Sequence, residues 1–261
     1  MPKGGLARRA TAIKSERATN DDLVLVLDAG NALHGAWVAF SSQGRVIIDG
    51  MNAMGYDAMV IGAADLALGI DALYEREAEA AFPLLSANIM PAGGGASLFE
   101  PYRIIERDGL RVGVIGISEP EAADVAEVKS DISVEDPVAV SARYVDQLRD
   151  EVDLLVVLSR LGMERDMALA EAVGGIDIII GGNTRQLMRQ PERVGNTLIV
   201  QQGARGEWLG RLVARFDERG LPVESVAEAI TLGPDIADDT EIVDLVSRWN
   251  ALYPPPTPTN R

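Results

Sequence analysis

The sequence predicts an α/β fold in which helices pack on one mixed sheet or on two stacked sheets. The first observation is a set of short, nearly continuous apolar runs, which are typical of strands covered on both faces. The second is helical spacing of apolar residues between runs, and the third is a hairpin pattern that indicates additional antiparallel strands. The apolar runs are Leu23 to Leu27, Ala58 to Ile61, Leu154 to Leu158 and Ile176 to Ile180.

Two helices are expected, one on each side of the run that begins at Leu154. Asp136 followed by Pro137 predicts an N-cap and a first-turn proline. The residues expected to form the buried stripe of this first helix are Val138, Ala142, Val145 and Leu148. Those that recur at helical spacing in the second helix are Met163, Met167, Ala170 and Val173.

The antiparallel strands are expected in two places. Tyr102 to Glu106 and Leu110 to Ile115 flank the turn dipeptide Asp108-Gly109, which predicts a hairpin. Further strand candidates are Thr197 to Gln201, Trp208 to Phe216 and Val223 to Ile230, the last two joined by Asp217 to Pro222. The acidic stretch from Asp235 to Glu241 is typical of a solvated helix start.

The composition is that of a globular chain with a substantial core. Of the 261 residues, 47% are hydrophobic, and the mean hydropathy is +0.07. A net charge of −16 and a pI near 4.5 argue against nucleic acid or an acidic membrane as a partner, because the long-range field repels phosphates. Since the chain has no cysteine, disulfides, thiol catalysis and cysteine-based zinc sites are excluded.

The sequence leaves the cellular compartment unassigned. No apolar run approaches the roughly 18 residues that indicate a membrane span. Met1 to Ala10 contains basic residues but no apolar stretch after them, so this segment does not have the pattern of a secretory signal. The end from Tyr253 to Arg261 contains four prolines, which predicts a linker or a disordered tail.

Several short stretches lead into or follow the apolar runs in a characteristic order. They are Gly4 to Arg8, Leu27 to Asn31, Met54 to Gly62, Ser86 to Ile89, Gly113 to Ile117, Gly181 to Arg185 and Gln201 to Leu212. Together they resemble the catalytic domain of the 5′-nucleotidase branch of the calcineurin-like metallophosphoesterases, from Gly4 to about Leu252. The resemblance implies a four-layer αββα sandwich with mixed sheets, forming one domain over residues 1–252 before the tail at 253–261.

The resemblance also implies a site for two divalent metal ions, but the residues at the ligand positions differ here. The family loops carry D-A-G-D, G-N-H-E/D, S-H-L-G and G-G-H-T-H. A neutral amide does not bridge two cations as a carboxylate does, alanine offers no ligand, and a guanidinium cannot coordinate a metal. We therefore expect no metal cofactor and no catalytic residue. The positions of the lost ligands are Asn31, Ala63, Ala64, Arg160, Asn183 and Arg185.

Arg160 and Arg185 suggest two alternatives. Their charges could replace the metal cations and hold a small anion, such as phosphate, sulfate or a carboxylate. The candidate anion ligands are Asn31, Arg160, Asn183, Thr184 and Arg185. In the second alternative the arginines fill the former metal pocket and pair internally with Asp28, Asp65 or Asp166, since an unpaired charge there is costly.

Two further hypotheses concern a cation site made of carboxylates and the single histidine. Asp28, Asp65 and Asp166 could hold one Mg²⁺ or Ca²⁺, because hard cations accept shells made only of oxygen. Asp166 could equally be a helix-start residue that the helix dipole favours. His34 is the only histidine; it lies outside the family's ligand positions and is expected to be an ordinary loop residue.

The resemblance raises one question about the sheet. The family has a D-x-H strand that should precede Gly4, and this strand is expected within a sheet rather than at its edge. If it is absent, a strand from a partner could fill the position, because exposed strand positions favour pairing with another chain. A segment upstream of the present sequence is the simpler alternative.

Three functions are therefore considered. The leading expectation is a non-catalytic domain that binds an anion or another ligand, or that acts as an interaction module. The second is an active phosphoesterase of the nucleotidase type with an incomplete metal site, and the third is a structural or oligomerisation domain of a larger exported protein. The resemblance implies that relatives are often periplasmic or extracellular.

Overall fold

The computed structural model describes residues 3–20, 23–217 and 222–256. In the first part of the chain the elements are α1 (Leu6–Thr19), β1 (Leu27–Asp28), α2 (Trp37–Ser41), α3 (Arg45–Met54), β2 (Ala58–Val60), α4 (Ala63–Leu66), α5 (Ile70–Glu79), β3 (Leu84–Leu85) and β4 (Ile89–Pro91). The remaining elements are β5 (Tyr102–Arg107), β6 (Leu110–Ile117), β7 (Ile132–Val134), α6 (Pro137–Leu148), β8 (Leu154–Ser159), α7 (Met163–Ala172), β9 (Ile178–Gly181), β10 (Glu192–Val194), β11 (Thr197–Gln201), β12 (Trp208–Phe216), β13 (Pro222–Thr231) and α8 (Thr240–Leu252).

Within the described ranges, the strands form two main sheets and two small ones. The first main sheet has the order β1-β2-β3, with all pairs parallel. The second has the order β10-β11-β9-β8-β6-β5; its inner pairs are parallel, and the two edge strands β10 and β5 are antiparallel to their neighbours. β12 and β13 form a two-stranded hairpin, and β4 pairs with β7.

Three apolar clusters define four layers. One cluster lies between the sheets and joins β2 and β3 to β6 and β8, for example through Val60, Leu85 and Val114. A second lies on the outer face of the first sheet and includes Ile13 of α1 and Met51 of α3. A third lies on the outer face of the second sheet beneath α6 and α7. The predicted αββα sandwich is therefore confirmed.

Helix starts follow the expected local chemistry. The Asp136 side chain accepts a hydrogen bond from the Ala139 N–H at 2.8 Å, and Pro137 occupies the first turn, as the sequence predicts. Asp239 caps α8 in the same way by accepting from the Ile242 N–H at 3.1 Å. The acidic stretch before α8 thus supplies the cap of that helix.

Two details of the predicted elements were wrong. Val138 is 37% exposed and Ala142 is only partly buried, whereas the predicted Val145 and Leu148 are buried, together with Val140 and Ser141. The strand expected from Leu23 pairs only through β1, because the Val26 N–H donates to the Asp57 carboxylate at 2.7 Å rather than to a strand carbonyl. A side chain has replaced a backbone partner at that point.

The predicted hairpins are confirmed, with β5 pairing with β6 and β12 with β13. Part of the expected 217–222 connection lies outside the described residues, as does most of the predicted 253–261 tail. None of the helices in the described ranges combines the length and the apolar composition that a bilayer crossing requires.

Candidate functional site

The site lies where loops leave the carboxyl ends of β1, β2, β8 and β9. Asn31 follows β1, Ala63 and Ala64 follow β2, Arg160 follows β8, and Asn183 follows β9. The carboxyl ends of adjacent parallel strands lie at one edge of a sheet, where ligand sites of open α/β proteins commonly form. Stacking of the two sheets brings the loops of β1 and β2 against those of β8 and β9.

Arg160 occupies the centre of these loops. The residue is only 6% exposed. Its Nη1 donates to the Ala29 carbonyl oxygen at 3.2 Å, which joins the β8 loop to the β1 loop. Its Nε lies 3.7 Å from Oε2 of Glu119, a carboxylate whose side chain is 4% exposed. The guanidinium is therefore an internal cation with an internal counterion.

Glycines leave the space that this guanidinium fills. A Cβ added to Gly62 would lie 2.9 Å from Nε of Arg160 and would also collide with the Asn31 side chain. A Cβ added to Gly182 would collide with Nη1 of Arg160 and lie 3.0 Å from the Ala29 carbonyl oxygen. The side chain of Arg160 thus fills close-packed space between loops from both sheets.

Glu119 is a site residue that the sequence interpretation missed. It follows β6, and its Oε1 accepts a hydrogen bond from the Ala63 N–H at 3.1 Å. Asn88 fixes the preceding residue, Ser118, by donating to its carbonyl and accepting from its N–H, each at 2.9 Å. The sequence did contain a signal for this site residue, because the apolar run from Gly113 to Ile117 predicts a buried strand that ends just before Glu119.

Asp65 ties the β1 and β2 loops together. Its Oδ2 accepts from the N–H groups of Asn31 at 2.7 Å and Gly62 at 3.0 Å, and its Oδ1 accepts from Leu33 at 3.0 Å. Complete burial raises the pKa of Asp65 to about 6, although the three backbone hydrogen bonds oppose that shift. The Asp65 carboxylate therefore holds the β1 and β2 loops together.

Asn31 also links the β1 loop to the β2 loop. Its backbone has a left-handed φ of 58°, and its Oδ1 accepts from the Ala64 N–H at 2.9 Å. Asparagine adopts this conformation more readily than most residues. The Asn31 side-chain oxygen thus links the loop after β1 to the start of α4.

Asp166 lies beneath the β8 loop in the first turn of α7 and is completely buried. Its Oδ1 accepts from the Ser159 hydroxyl, while its Oδ2 is buried without a hydrogen-bond partner. Burial raises the pKa of Asp166 to about 7, and the charge of Arg160 opposes that shift. Gly181 leaves room for this carboxylate, because a Cβ there would collide with Oδ2.

Asp28 lies at the end of β1. Its Oδ1 accepts from the Gly30 N–H at 2.8 Å, and its Oδ2 lies 4.0 Å from Nη1 of Arg9. Burial raises the pKa of Asp28, and the charges of Arg9 and Arg160 oppose that rise. The expectation that Arg160 pairs with Asp28, Asp65 or Asp166 was therefore wrong as to the partner, because its ion pair is with Glu119.

The loop after β9 is more open. Asn183, Thr184 and Arg185 are exposed, and Asn183 and Arg185 have left-handed φ values of 72° and 57°. The Thr184 hydroxyl donates to Oε1 of Gln201 at 2.7 Å and accepts from the Met163 N–H at 3.4 Å. The structure therefore brings Asn31 and Arg160 together in the interior but places Arg185 at the surface.

The residues present do not fit a pair of divalent cations. Backbone N–H groups occupy the oxygens of Asp65, and the positive charge of Arg160 lies among the same loops. Across the described ranges, no group of three or more His, Cys, Asp or Glu side chains is placed to hold a metal ion. His34 packs near Phe40, with ring centroids 6.0 Å apart.

The family of this chain follows from its similarity to individual proteins and not from a match to a family model. No family model matches the sequence. A snake venom 5′-nucleotidase of Gloydius brevicauda is 32% identical over 264 residues, which cover 92% of this chain and 45% of that protein. A 5′-nucleotidase of Bos taurus is 30% identical over 270 residues, covering 94% and 47%. The chain belongs to the 5′-nucleotidase branch of the calcineurin-like metallophosphoesterases.

Solved structures of this metallophosphoesterase family support the assignment. The sulfate thiohydrolase SoxB of Thermus thermophilus superposes with a TM-score of 0.90 at 27% identity, covering 97% of this chain and 47% of that one. A 5′-nucleotidase precursor, also of Thermus thermophilus, gives a TM-score of 0.86 at 25% identity, covering 96% and 54%. The present chain therefore spans about half the length of the 5′-nucleotidase relatives it matches.

Proposed function

We propose that this chain is a non-catalytic 5′-nucleotidase-family domain that serves as a ligand-binding or interaction module. The observation that carries the proposal is the buried Arg160 guanidinium, paired with Glu119 and bonded to Ala29 in the middle of the site loops. A divalent cation entering these loops would meet a fixed positive charge in a poorly solvated environment, where charge repulsion is strong. This arrangement supports a domain that does not work by di-metal chemistry.

The proposed ligand is a small anion at the loop after β9. Arg185 and Thr184 are exposed there, and the left-handed backbone of Asn183 and Arg185 can present N–H groups in a concave turn. Arg160 could join such a site only by leaving Glu119, which would be left buried and unpaired. Arg185 is therefore assigned the larger part of anion binding.

The second candidate is an active phosphoesterase that hydrolyses nucleotides. It is supported by the similarity over 92% of this chain to a protein described as a 5′-nucleotidase. Because the chain spans only about half of such relatives, a residue outside it could complete the site in a longer protein. Asp65 and Asp166 would then be acidic groups available beside the loops at which the family resemblance implies metal ligands.

Nucleotide hydrolysis separates the two candidates. The chain is incubated with AMP and Mn²⁺, Zn²⁺ or Mg²⁺, and released phosphate is compared with that from Arg160→Ala and Arg165→Ala. Arg165 is an exposed arginine paired with Glu121 and serves as the matched control. The proposal expects no metal-dependent phosphate release from any of the three proteins. Metal-dependent hydrolysis by the unaltered chain would establish the second candidate.

A further inference from the structure

Arginines are concentrated in the stretch between β9 and β12. From Gly182 to Gly206 the sequence contains four arginines and one acidic residue, Glu192, which gives this stretch a charge of +3 within a chain of net charge −16. At physiological ionic strength charges are screened beyond about 8 Å, so a small ligand bound here responds mainly to the nearby arginines. The stretch therefore forms a local region of positive charge on an acidic protein.

Arg185 and Arg205 are both exposed at the surface. Within the described ranges, neither guanidinium makes a hydrogen bond or lies within 4.0 Å of a carboxylate. By contrast, Arg211 on the neighbouring β12 lies 2.7 Å from the carboxylate of Glu16. The whole chain has 40 acidic and 24 basic residues, so most arginines have carboxylates available as partners. The donors of Arg185 and Arg205 are instead available to an anion from solution.

Backbone pairing brings the two arginines to the same end of a short antiparallel segment. The Gly203 N–H donates to the Gln186 carbonyl oxygen at 2.8 Å, and the adjacent bridge is antiparallel. Arg185 precedes Gln186 by one residue, and Arg205 follows Gly203 by two. Paired residues are about 5.5 Å apart and consecutive Cα atoms about 3.8 Å, so the two arginine Cα atoms lie within roughly 17 Å of each other. Their long side chains can therefore reach a common ligand.

Both arginines have a left-handed backbone conformation. The φ angle is 57° at Arg185 and 60° at Arg205, and it is 72° at Asn183 in the same loop as Arg185. In the described part of the chain six residues other than glycine have a positive φ, and these three are half of them. Such conformations cost free energy in residues with a Cβ, and they cluster at ligand sites. The strain at both arginines is thus consistent with a shared binding role.

Gln201 holds the loop of Arg185 in place. The Gln201 side chain is buried, with the residue 2% exposed. Its Oε1 accepts from the Thr184 hydroxyl and from the Gln186 N–H, each at 2.7 Å. Its Nε2 donates to the Gly182 carbonyl oxygen. Because these hydrogen bonds lie on both sides of Arg185, the loop is ordered before a ligand binds, which reduces the entropy lost on binding.

We propose that Arg185 and Arg205 together bind one compact anion that carries two charged groups, one for each guanidinium. The two groups are phosphates or carboxylates, which the planar guanidinium binds through paired hydrogen bonds. A long polyanion does not fit, because it would extend beyond these loops over a chain whose net charge is −16. The proposal rests on the anion binding proposed above for the loop after β9, and it adds the second arginine and the class of anion.

Titration calorimetry at low salt tests the proposal with two pairs of anions. Pyrophosphate is compared with phosphate, and succinate with acetate. A charge-assisted hydrogen bond contributes about a factor of ten or more in affinity, so at least one two-group anion should bind about tenfold more tightly than its single-group counterpart. The pair that shows this difference identifies the groups as phosphates or carboxylates.

A variant at each of two arginines locates the second group. Arg205→Gly places a glycine, which adopts the left-handed backbone without strain, and it should remove the tighter binding while changing single-group binding less than about twofold. Arg189→Ala, at another exposed arginine of the same stretch, is the control and should leave both members of the pair unchanged.

The outcomes separate this proposal from the function on which it rests. The proposal is overturned if neither two-group anion binds more tightly than its counterpart, or if Arg205→Gly weakens both members of the pair equally. Phosphate binding that depends on Arg185 would in either case leave the proposed anion-binding function standing. Absence of binding by all four anions would contradict that function as well.

Discussion

Nε of Arg160 lies 3.7 Å from Oε2 of Glu119, and both atoms are buried without a hydrogen-bond partner. The pair joins a loop after β8 to a loop after β6, and Arg160 also reaches Ala29 beyond β1. Charges removed from water in this way stabilise a fold little when paired, but they destabilise it strongly when one partner is lost. This asymmetry allows the pair to be tested directly.

Removing one member of the pair should destabilise the fold more than removing both. Glu119→Gln keeps an acceptor for the Ala63 N–H but leaves Arg160 unpaired, so we expect a loss of about 3 kcal/mol in the free energy of unfolding. The double variant Glu119→Gln with Arg160→Met should recover much of that loss. Urea denaturation measures both values.

The exposed pair of Arg165 and Glu121 provides the control. Its side chains are 50% and 55% exposed, and Glu121→Gln should cost no more than about 1 kcal/mol. Equal losses for Glu119→Gln and Glu121→Gln would mean that the buried pair has no special role in the site.

Asp166 should make stability depend on pH. Burial raises its pKa to about 7 in the folded state, whereas an unfolded aspartate has a pKa of about 3.9. Between these values the folded state binds more protons than the unfolded state, so the stability contribution is complete below about pH 4 and is lost as the pH rises through about 7. Asp65 contributes in the same direction, with a pKa of about 6.

Asp166→Asn removes this titration. We expect the variant to lose less stability than the unaltered chain between about pH 5 and about pH 8, as measured by urea denaturation at both values. Asp146→Asn, at an exposed position on α6, is the matched control and should follow the unaltered chain. An identical pH dependence in Asp166→Asn would refute the assignment.

The glycines around Arg160 should tolerate no side chain. Gly182→Ala places a methyl group against the guanidinium and the Ala29 carbonyl, and we expect a loss of about 1–3 kcal/mol from overpacking. Gly174→Ala is the control, because an added Cβ there meets no atom within 4 Å. Thermal unfolding measures both variants, and equal melting temperatures would contradict the close packing described here.

Anion binding should depend on Arg185. Titration calorimetry with inorganic phosphate at low salt is expected to show binding that Arg185→Ala weakens at least tenfold. The double variant with Arg160→Ala should abolish it, while Arg189→Ala, at another exposed arginine of the same loop, serves as the control. Unchanged binding in the double variant would remove both arginines from the anion site.

The fold was predictable because its signals are local and its motifs ordered. Apolar runs, the Asp136 cap and the Asp108-Gly109 turn each specify an element without reference to the rest of the chain. The αββα layering came from the family resemblance, since apolar patterns alone left one sheet or two open. The partner of Arg160 was not predictable, because Glu119 reaches it only after two sheets have stacked.

The same limit applies to other parts of the site. The sequence shows that Asp65 follows a strand, but it does not show that three backbone N–H groups occupy its oxygens. Nor does it show that Arg160 is buried while Arg185 is exposed, because both follow parallel strands in similar loops. Burial and hydrogen-bond partners depend on tertiary packing, which local patterns do not determine.

Metal content tests the central claim most directly. The chain is incubated with Mn²⁺, Zn²⁺, Mg²⁺ and Ca²⁺ in turn, desalted and examined by elemental analysis. The internal pairing of Arg160 with Glu119 predicts essentially no retained metal. Near-stoichiometric retention of any of these ions would contradict it and would favour an active phosphoesterase.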